Sequence, residues 1–376
     1  MSIYRFPATP ELSASPLQAR FDAAVSDRRT LLRRVAGAGL AIPALAALGD
    51  TVGAQEETPM AHDLPAPTAP AGYVGSDATA SAGGTGAASP AAAAPQPFVR
   101  YDPVLRSVQA GPKTITVVAK DATLLVAKDV PYAAWTFDGT IPGRTLRVVE
   151  GDTVSFTLKI DPTAATGHSL DFHSAKTPPD QSYRTIQPGE ELSFDFVARY
   201  PGAFMYHCGT PPVLMHLGSG MYGAMIVDPK EGWSPAQELI FVQSDFYVME
   251  GENGVTVPDF SRMLGHGSMD YVAFNGYANQ YVEQPIKVKA GEPVRIFVVN
   301  AGPNVWSSFH VVGTIFDRAC VNANPKNELF GLQSITIGPG DGACVEFTLD
   351  EPGTYPAVNH AFGHAAHGAV ALLQAE

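Results

Sequence analysis

The sequence predicts an all-β protein built as two tandem β-sandwich domains. Three observations carry that expectation. From about residue 98 the chain breaks into short runs rich in β-branched residues, alternating apolar and polar and bounded by Gly and Pro. The landmarks of that region return 140 to 151 residues later. No stretch carries the 3.6-residue apolar period of a long amphipathic helix.

The first 54 residues read as an address rather than as structure. Ser26-Asp27-Arg28-Arg29-Thr30-Leu31-Leu32 opens a cationic segment, an apolar run from Val35 to Leu48 follows, and Val52-Gly53-Ala54 supplies the small residues of a cleavage site. A paired arginine before a mildly apolar stretch is the twin-arginine export pattern. The 14-residue apolar run falls short of the ~20 residues of a membrane-spanning helix, so no stable membrane insertion is expected. Residues 55–97, dominated by Ala, Pro, Gly, Ser and Thr, cannot bury enough apolar surface to offset their ordering entropy and are expected to be a flexible linker.

Beyond it, Thr114–Val118, Thr145–Val149 and Thr153–Leu158 are expected strands. Glu150-Gly151-Asp152-Thr153-Val154 returns as Ala290-Gly291-Glu292-Pro293-Val294, Pro188-Gly189 as Pro339-Gly340, Pro201-Gly202 as Pro352-Gly353, and Gly223-Ala224 as Gly368-Ala369. Spacings this long exceed any solenoid repeat and fit two copies of one domain, 98–230 and 236–376. A 45% hydrophobic, 16% charged composition can fill both cores. The net charge of −13 becomes −15 without residues 1–54, and no basic cluster lies outside them. Such a surface repels nucleic acid.

The chemistry concentrates in three short stretches: His168-Ser169-Leu170-Asp171-Phe172-His173, Tyr206-His207-Cys208-Gly209, and Met215-His216-Leu217-Gly218-Ser219-Gly220-Met221. A blue-copper (type 1) site takes two imidazoles, a thiolate and a weak axial thioether. His168, Cys208, His216 and Met221 supply that set. Neighbouring strand residues point to opposite faces. With Cys208 facing inward, His207 faces outward, and His173 leaves on the same side because it lies five residues from His168. His173 and His207 can then share a second metal, which needs a third ligand. Val358-Asn359-His360 follows Pro352-Gly353 in the second half much as His207-Cys208 follows Pro201-Gly202, without a cysteine, and offers His360.

These motifs resemble those of the copper-containing nitrite reductases, and the resemblance spans roughly residues 98–376. It implies two cupredoxin-like Greek-key β-sandwich domains. It also implies a type 1 copper on His168, Cys208, His216 and Met221, and a type 2 copper on His173 and His207 of one subunit and His360 of a neighbour, in a homotrimer. Electrons would pass from type 1 to type 2 copper through Cys208 and His207, reducing nitrite to nitric oxide. Asp171 and His310 match the family's proton-handling pair. Val312 matches the apolar residue that limits how ligands lie on the copper, and Ser334 stands where a family threonine hydrogen-bonds the histidine at 310.

The chain departs from better-known members in a Cys208–His216 loop one residue shorter, in Met215 where many have tryptophan, and in Ile315 where many have histidine. His364 and His367 are additional. Export would place the protein in the periplasm or elsewhere outside the cytoplasm, where Cys320 and Cys344 could pair. With no Cys-X-X-Cys-His haem site in the sequence, electrons are expected from a separate protein, a cytochrome c or a small cupredoxin.

Two other functions compete. A two-domain, laccase-like multicopper oxidase needs about eight histidines for its trinuclear cluster, mostly in His-X-His pairs. This chain has ten histidines in all and no His-X-His, and Gly209 ends the would-be His-Cys-His. A non-enzymatic copper electron-transfer protein has no use for Asp171, His310 and His360.

Overall fold

The computed structural model describes residues 95–376. The expected signal peptide (1–54) and all but the last residues of the linker expected over 55–97 lie outside the described residues.

Four β-sheets dominate, consistent with two cupredoxin domains. In the first half, Val130–Phe137, Lys113–Ala127, Thr153–Ile160 and Glu191–Val197 run side by side in a six-stranded sheet. Opposite it lies a four-stranded sheet in the order Leu146–Val149, Tyr222–Asp228, Gly202–His207, Asp171–Phe172. In the second half a six-stranded sheet centred on Gln237–Phe246, Pro293–Gly302 and Gly342–Thr348 faces a five-stranded one centred on Val370–Ala375, Gly353–Asn359 and Ser307–Val311. A hairpin from the second half, Val248–Glu250 with Thr256–Pro258, completes the first half's six-stranded sheet. The α-helices among the described residues are four to six residues long, as the missing helical period implies.

The side-chain period of two builds the layers. Along Thr153–Ile160, Val154, Phe156, Leu158 and Ile160 are buried while Thr153, Ser155 and Lys159 are exposed. This strand has one wet face. Ile296-Phe297-Val298-Val299 is an unbroken apolar run because both faces are covered. Ile296 and Val298 enter the second sandwich's core, whereas Phe297 and Val299 join a cluster between the two sandwiches. Met225 and Val227 point into the first core while Ala224 and Ile226 meet that same intermediate cluster. Each large side chain so buried contributes about 1.5–3 kcal/mol, so the two halves share a dry layer. Arg295, 1% exposed, stands near it and binds Glu346 at 2.5 Å and Glu238 at 2.7 Å. Arg147 of the first half reaches the same Glu238 at 2.7 Å.

The repeat is structural, with one correction to its register. Gly151 N–H donates to Ala198 O at 2.7 Å and Gly291 N–H to Leu349 O at 2.8 Å. The counterpart of Gly368, however, is Gly220 rather than Gly223. His207 pairs with Tyr222 and Val358 with Val370, so Gly220-Met221 aligns with Gly368-Ala369. Both glycines have positive φ, +112° and +118°, which a side-chain-free residue adopts without penalty. Cys320 and Cys344 face each other across adjacent strands as free, buried thiols.

Candidate metal centre

The first site grows from the end of one strand. Gly202–His207 terminates at Cys208, the chain turns through Gly209–Pro212, and the short helix Val213–Gly218 returns His216 beneath it. Met221 N–H then donates to His216 O and Cys208 N–H to Met221 O, both at 3.1 Å. His168 arrives from the far edge, held in a two-way backbone bridge with Ile186. His168, Cys208 and Met221 are 0% exposed and His216 is 3% exposed.

Three donor atoms converge. His216 Nδ1 lies 3.3 Å from Cys208 Sγ and 3.2 Å from His168 Nδ1, and His168 Nδ1 lies 4.0 Å from Cys208 Sγ. Ligands bonded at about 2.0–2.3 Å to one metal in a trigonal plane stand roughly 3.5 Å apart, so the triangle fits a copper ion. Burial keeps both imidazoles neutral, the form that ligates, pushing His168 down to about 3 with help from the neighbouring His216 ring, and His216 down to about 4. Burial also raises the Cys208 thiol, so a metal must supply the charge that makes it a thiolate. Ser169 N–H donates to Sγ at 3.4 Å.

On the other face of the same strand, His207 Nε2 stands 3.1 Å from His173 Nε2, with the rings 83° apart. Asp171, paired with His207 across the sheet, places Oδ2 4.0 Å from that Nε2. His207 Nδ1 lies 2.9 Å from Cys208 O. A carbonyl only accepts, so Nδ1 carries the proton and Nε2 presents its lone pair outward. His173 is exposed, and its Cε1 lies 3.5 Å from where a Cβ on Gly340 would sit. The second half's Pro339-Gly340 turn therefore leaves room for that imidazole.

His310 and His360 come together elsewhere, on the second half's five-stranded sheet and the turn leaving it. Their ring centroids are 5.5 Å apart, His360 is exposed, and Val312 nearby is 44% exposed. Among the described residues, the donor sets gathered within 4.8 Å are His168–Cys208–His216 and Asp171–His173–His207. His360 belongs to neither. One chain thus brings together His173, His207 and Asp171, and separately His310 and His360, but not the two groups. His310 Nδ1 hydrogen-bonds the backbone carbonyl of Gln333, not the hydroxyl of Ser334 as expected.

A multicopper oxidase family model matches residues 119–232. The copper-containing nitrite reductase of Neisseria meningitidis serogroup B is 40% identical over 263 residues, covering 68% of this chain and 67% of that protein. This chain belongs to the copper-containing nitrite reductases. The solved copper nitrite reductase from Nitrosomonas europaea superposes with a TM-score of 0.66 at 38% identity, over 71% of this chain and 94% of that one. The copper-containing nitrite reductase from Thermus scotoductus does so at 0.64 and 34%, over 70% and 62%. For this nitrite reductase sequence, the type 1 copper site is His168, Cys208, His216 and Met221.

Sequence reasoning missed two neighbours of the first site. Trp135 packs on His216 with ring centroids 4.6 Å apart, and Ser169 Oγ accepts the Gly209 N–H at 3.0 Å. Ser169 sits beside a ligand in the sequence and was open to notice. Trp135, distant in the chain, carried no such signal.

Proposed function

We propose that this chain reduces nitrite to nitric oxide at two copper centres, the second shared between subunits of a homotrimer, with domains 98–230 and 236–376. The observation that carries the proposal is adjacency. Cys208 closes the buried site while His207, the preceding residue, stands 3.1 Å from His173 on the opposite face. Covalent bonds alone connect the thiol to that imidazole, and the 2.9 Å contact from His207 Nδ1 to Cys208 O shortens the route. Exposed His360, held apart from His173 and His207 in its own chain, suits a neighbour's half-site.

When bound, the coppers supply one transferable electron and a Lewis-acidic anchor for the anion. Nitrite, two protons and one electron give nitric oxide and water. Asp171, within 4.0 Å of His207 Nε2, is placed to hydrogen-bond the substrate and deliver one proton. His310, beside His360 and oriented by the Gln333 carbonyl, would relay the other. Val312, with its exposed side chain close by, would restrict how the anion lies. Ser26–Ala54 supports export by the twin-arginine route to the periplasm, where a separate cytochrome c or small cupredoxin would donate electrons. Among the described residues no helix is long and apolar enough to cross a membrane.

The test is anaerobic incubation of copper-loaded protein with nitrite and a reduced dye, following nitric oxide. Stoichiometric dye oxidation with nitric oxide release is expected. No nitric oxide from protein carrying two coppers per chain would refute the proposal.

A further inference from the structure

The second sandwich repeats the backbone of the type 1 site with different side chains on it. In the first half, Cys208 N–H donates to Met221 O and Met221 N–H to His216 O, both at 3.1 Å. In the second, Asn359 N–H donates to Ala369 O at 3.1 Å and Ala369 N–H to His364 O at 3.2 Å. Asn359 therefore stands in the place of Cys208, His364 in that of His216 and Ala369 in that of Met221. Ser307 takes the place of His168, and its buried hydroxyl has no hydrogen-bond partner among the described residues.

The substitutions keep the contacts that the sulfur makes. Cys208 Sγ receives the backbone N–H of Ser169 at 3.4 Å, and the N–H of Thr210, two residues on, favours its charged form. Asn359 Oδ1 receives those of Ser308 and Ala361, at 3.1 and 3.2 Å. Each pair comes from the same two positions of the repeat. His216 Nδ1 lies 3.3 Å from the sulfur, and Asn359 Nδ2 lies 3.2 Å from His364 Nδ1. The amide also donates to Trp306 O at 2.9 Å and Gln243 Oε1 at 3.1 Å. Asn359 is 0% exposed, and every polar atom of its side chain is used.

His360 lies between the two ends of this arrangement. Asn359 Oδ1 bonding the N–H two residues on makes an Asx turn whose middle residue is His360, and His360 N–H donates to Ser308 O at 2.7 Å. The imidazole itself is exposed, so its direction is set by the backbone beneath it.

We infer that Asn359 is the metal-free stand-in for the copper-binding cysteine, and that its side-chain oxygen positions His360 for the shared copper. Asn359 is a positioning residue, and the inference rests on the proposed reading of His360 as a ligand. A carbonyl oxygen accepts both N–H groups without needing a metal to charge it, so the second domain presents a ligand outward without holding an ion inside.

The test compares Asn359→Ala with Asn359→Ser, which differ by one acceptor oxygen. Type 2 copper is read by chelator competition and by its electron paramagnetic resonance, with the type 1 absorption as internal control. Asn359→Ala is expected to weaken the second copper about 10- to 100-fold with the type 1 band unchanged, and Asn359→Ser to recover most of the loss. Wild-type affinity in the alanine variant, or equal loss in both, overturns the inference. If Asn359→Ala does not fold, Ala361→Pro removes the accepted N–H at a residue whose φ is already −68°. The same loss is expected there, and wild-type affinity contradicts the inference. His360→Ala separates the two readings. Copper retained without His360 removes the ligand assignment itself. Copper lost there but kept in Asn359→Ala removes only the positioning role.

Discussion

Acid should destabilise the copper-free protein through its first metal site. His168 and His216 are buried, with pKa values of about 3 and about 4, against about 6.5 for a free imidazole. The unfolded chain takes up a proton at each near pH 6.5, whereas the folded chain refuses it until pH 4 or below. Protons therefore favour unfolding throughout that window: this stability is fully present above pH 6.5 and is lost as pH falls. Between pH 6 and pH 5 one such histidine removes about 1.2 kcal/mol and two remove roughly 2.4 kcal/mol. Asp245 works the other way. Burial raises its carboxyl to about 6, so it favours the folded state increasingly as pH drops. That contribution is common to wild type and to His216→Asn, and it cancels in their difference. Urea denaturation of both copper-free proteins at pH 6 and pH 5 is the assay. Wild type should lose about 1.2 kcal/mol more than the variant across that unit. Equal losses would refute the claim that His216 is buried and neutral without its metal.

Further outcomes test the sites one at a time. Cys208→Ala should abolish the absorption near roughly 600 nm expected of a copper–thiolate site, read directly by visible spectroscopy. Asp171→Asn and His310→Ala should each retain two coppers per chain yet slow nitric oxide formation by at least about 100-fold, measured by steady-state kinetics beside metal analysis. Arg295→Met leaves Glu238 and Glu346 without the buried guanidinium that binds both. Arg147 and Arg318 still hold those two carboxylates, so the substitution should cost about 1.5–3 kcal/mol in denaturant unfolding without changing the copper spectra.

Much of the architecture was legible because strands write their faces into the sequence. The alternation at Thr153–Ile160 and the doubly apolar Ile296–Val299 announce one-sided and two-sided burial, and the type 1 ligands need a residue set that few other sites use. His168 and His173 face opposite ways as their spacing suggests, although only Asp171–Phe172 between them is strand. What escaped was whatever local residue identity does not encode. Gly223-Ala224 mimicked Gly368-Ala369 as a dipeptide, but register is set by ladder hydrogen bonds, which make Gly220 the counterpart of Gly368. Ser334 carried a suggestive hydroxyl, yet the partner of His310 is a backbone carbonyl, present at every residue and so invisible in any one. Asn359 looks generic until its five side-chain polar contacts, drawn from three different segments, are seen together. The hairpin at Val248–Pro258 joins the other half's sheet because edge pairing is decided by proximity in the fold rather than by sequence order.

The most direct test of the paired centres is copper content and electron paramagnetic resonance of wild type beside His207→Ala. Two coppers per chain are expected in wild type, with His207→Ala losing the second and keeping the blue one. A single centre in wild type, or a second one indifferent to His207, would contradict the account.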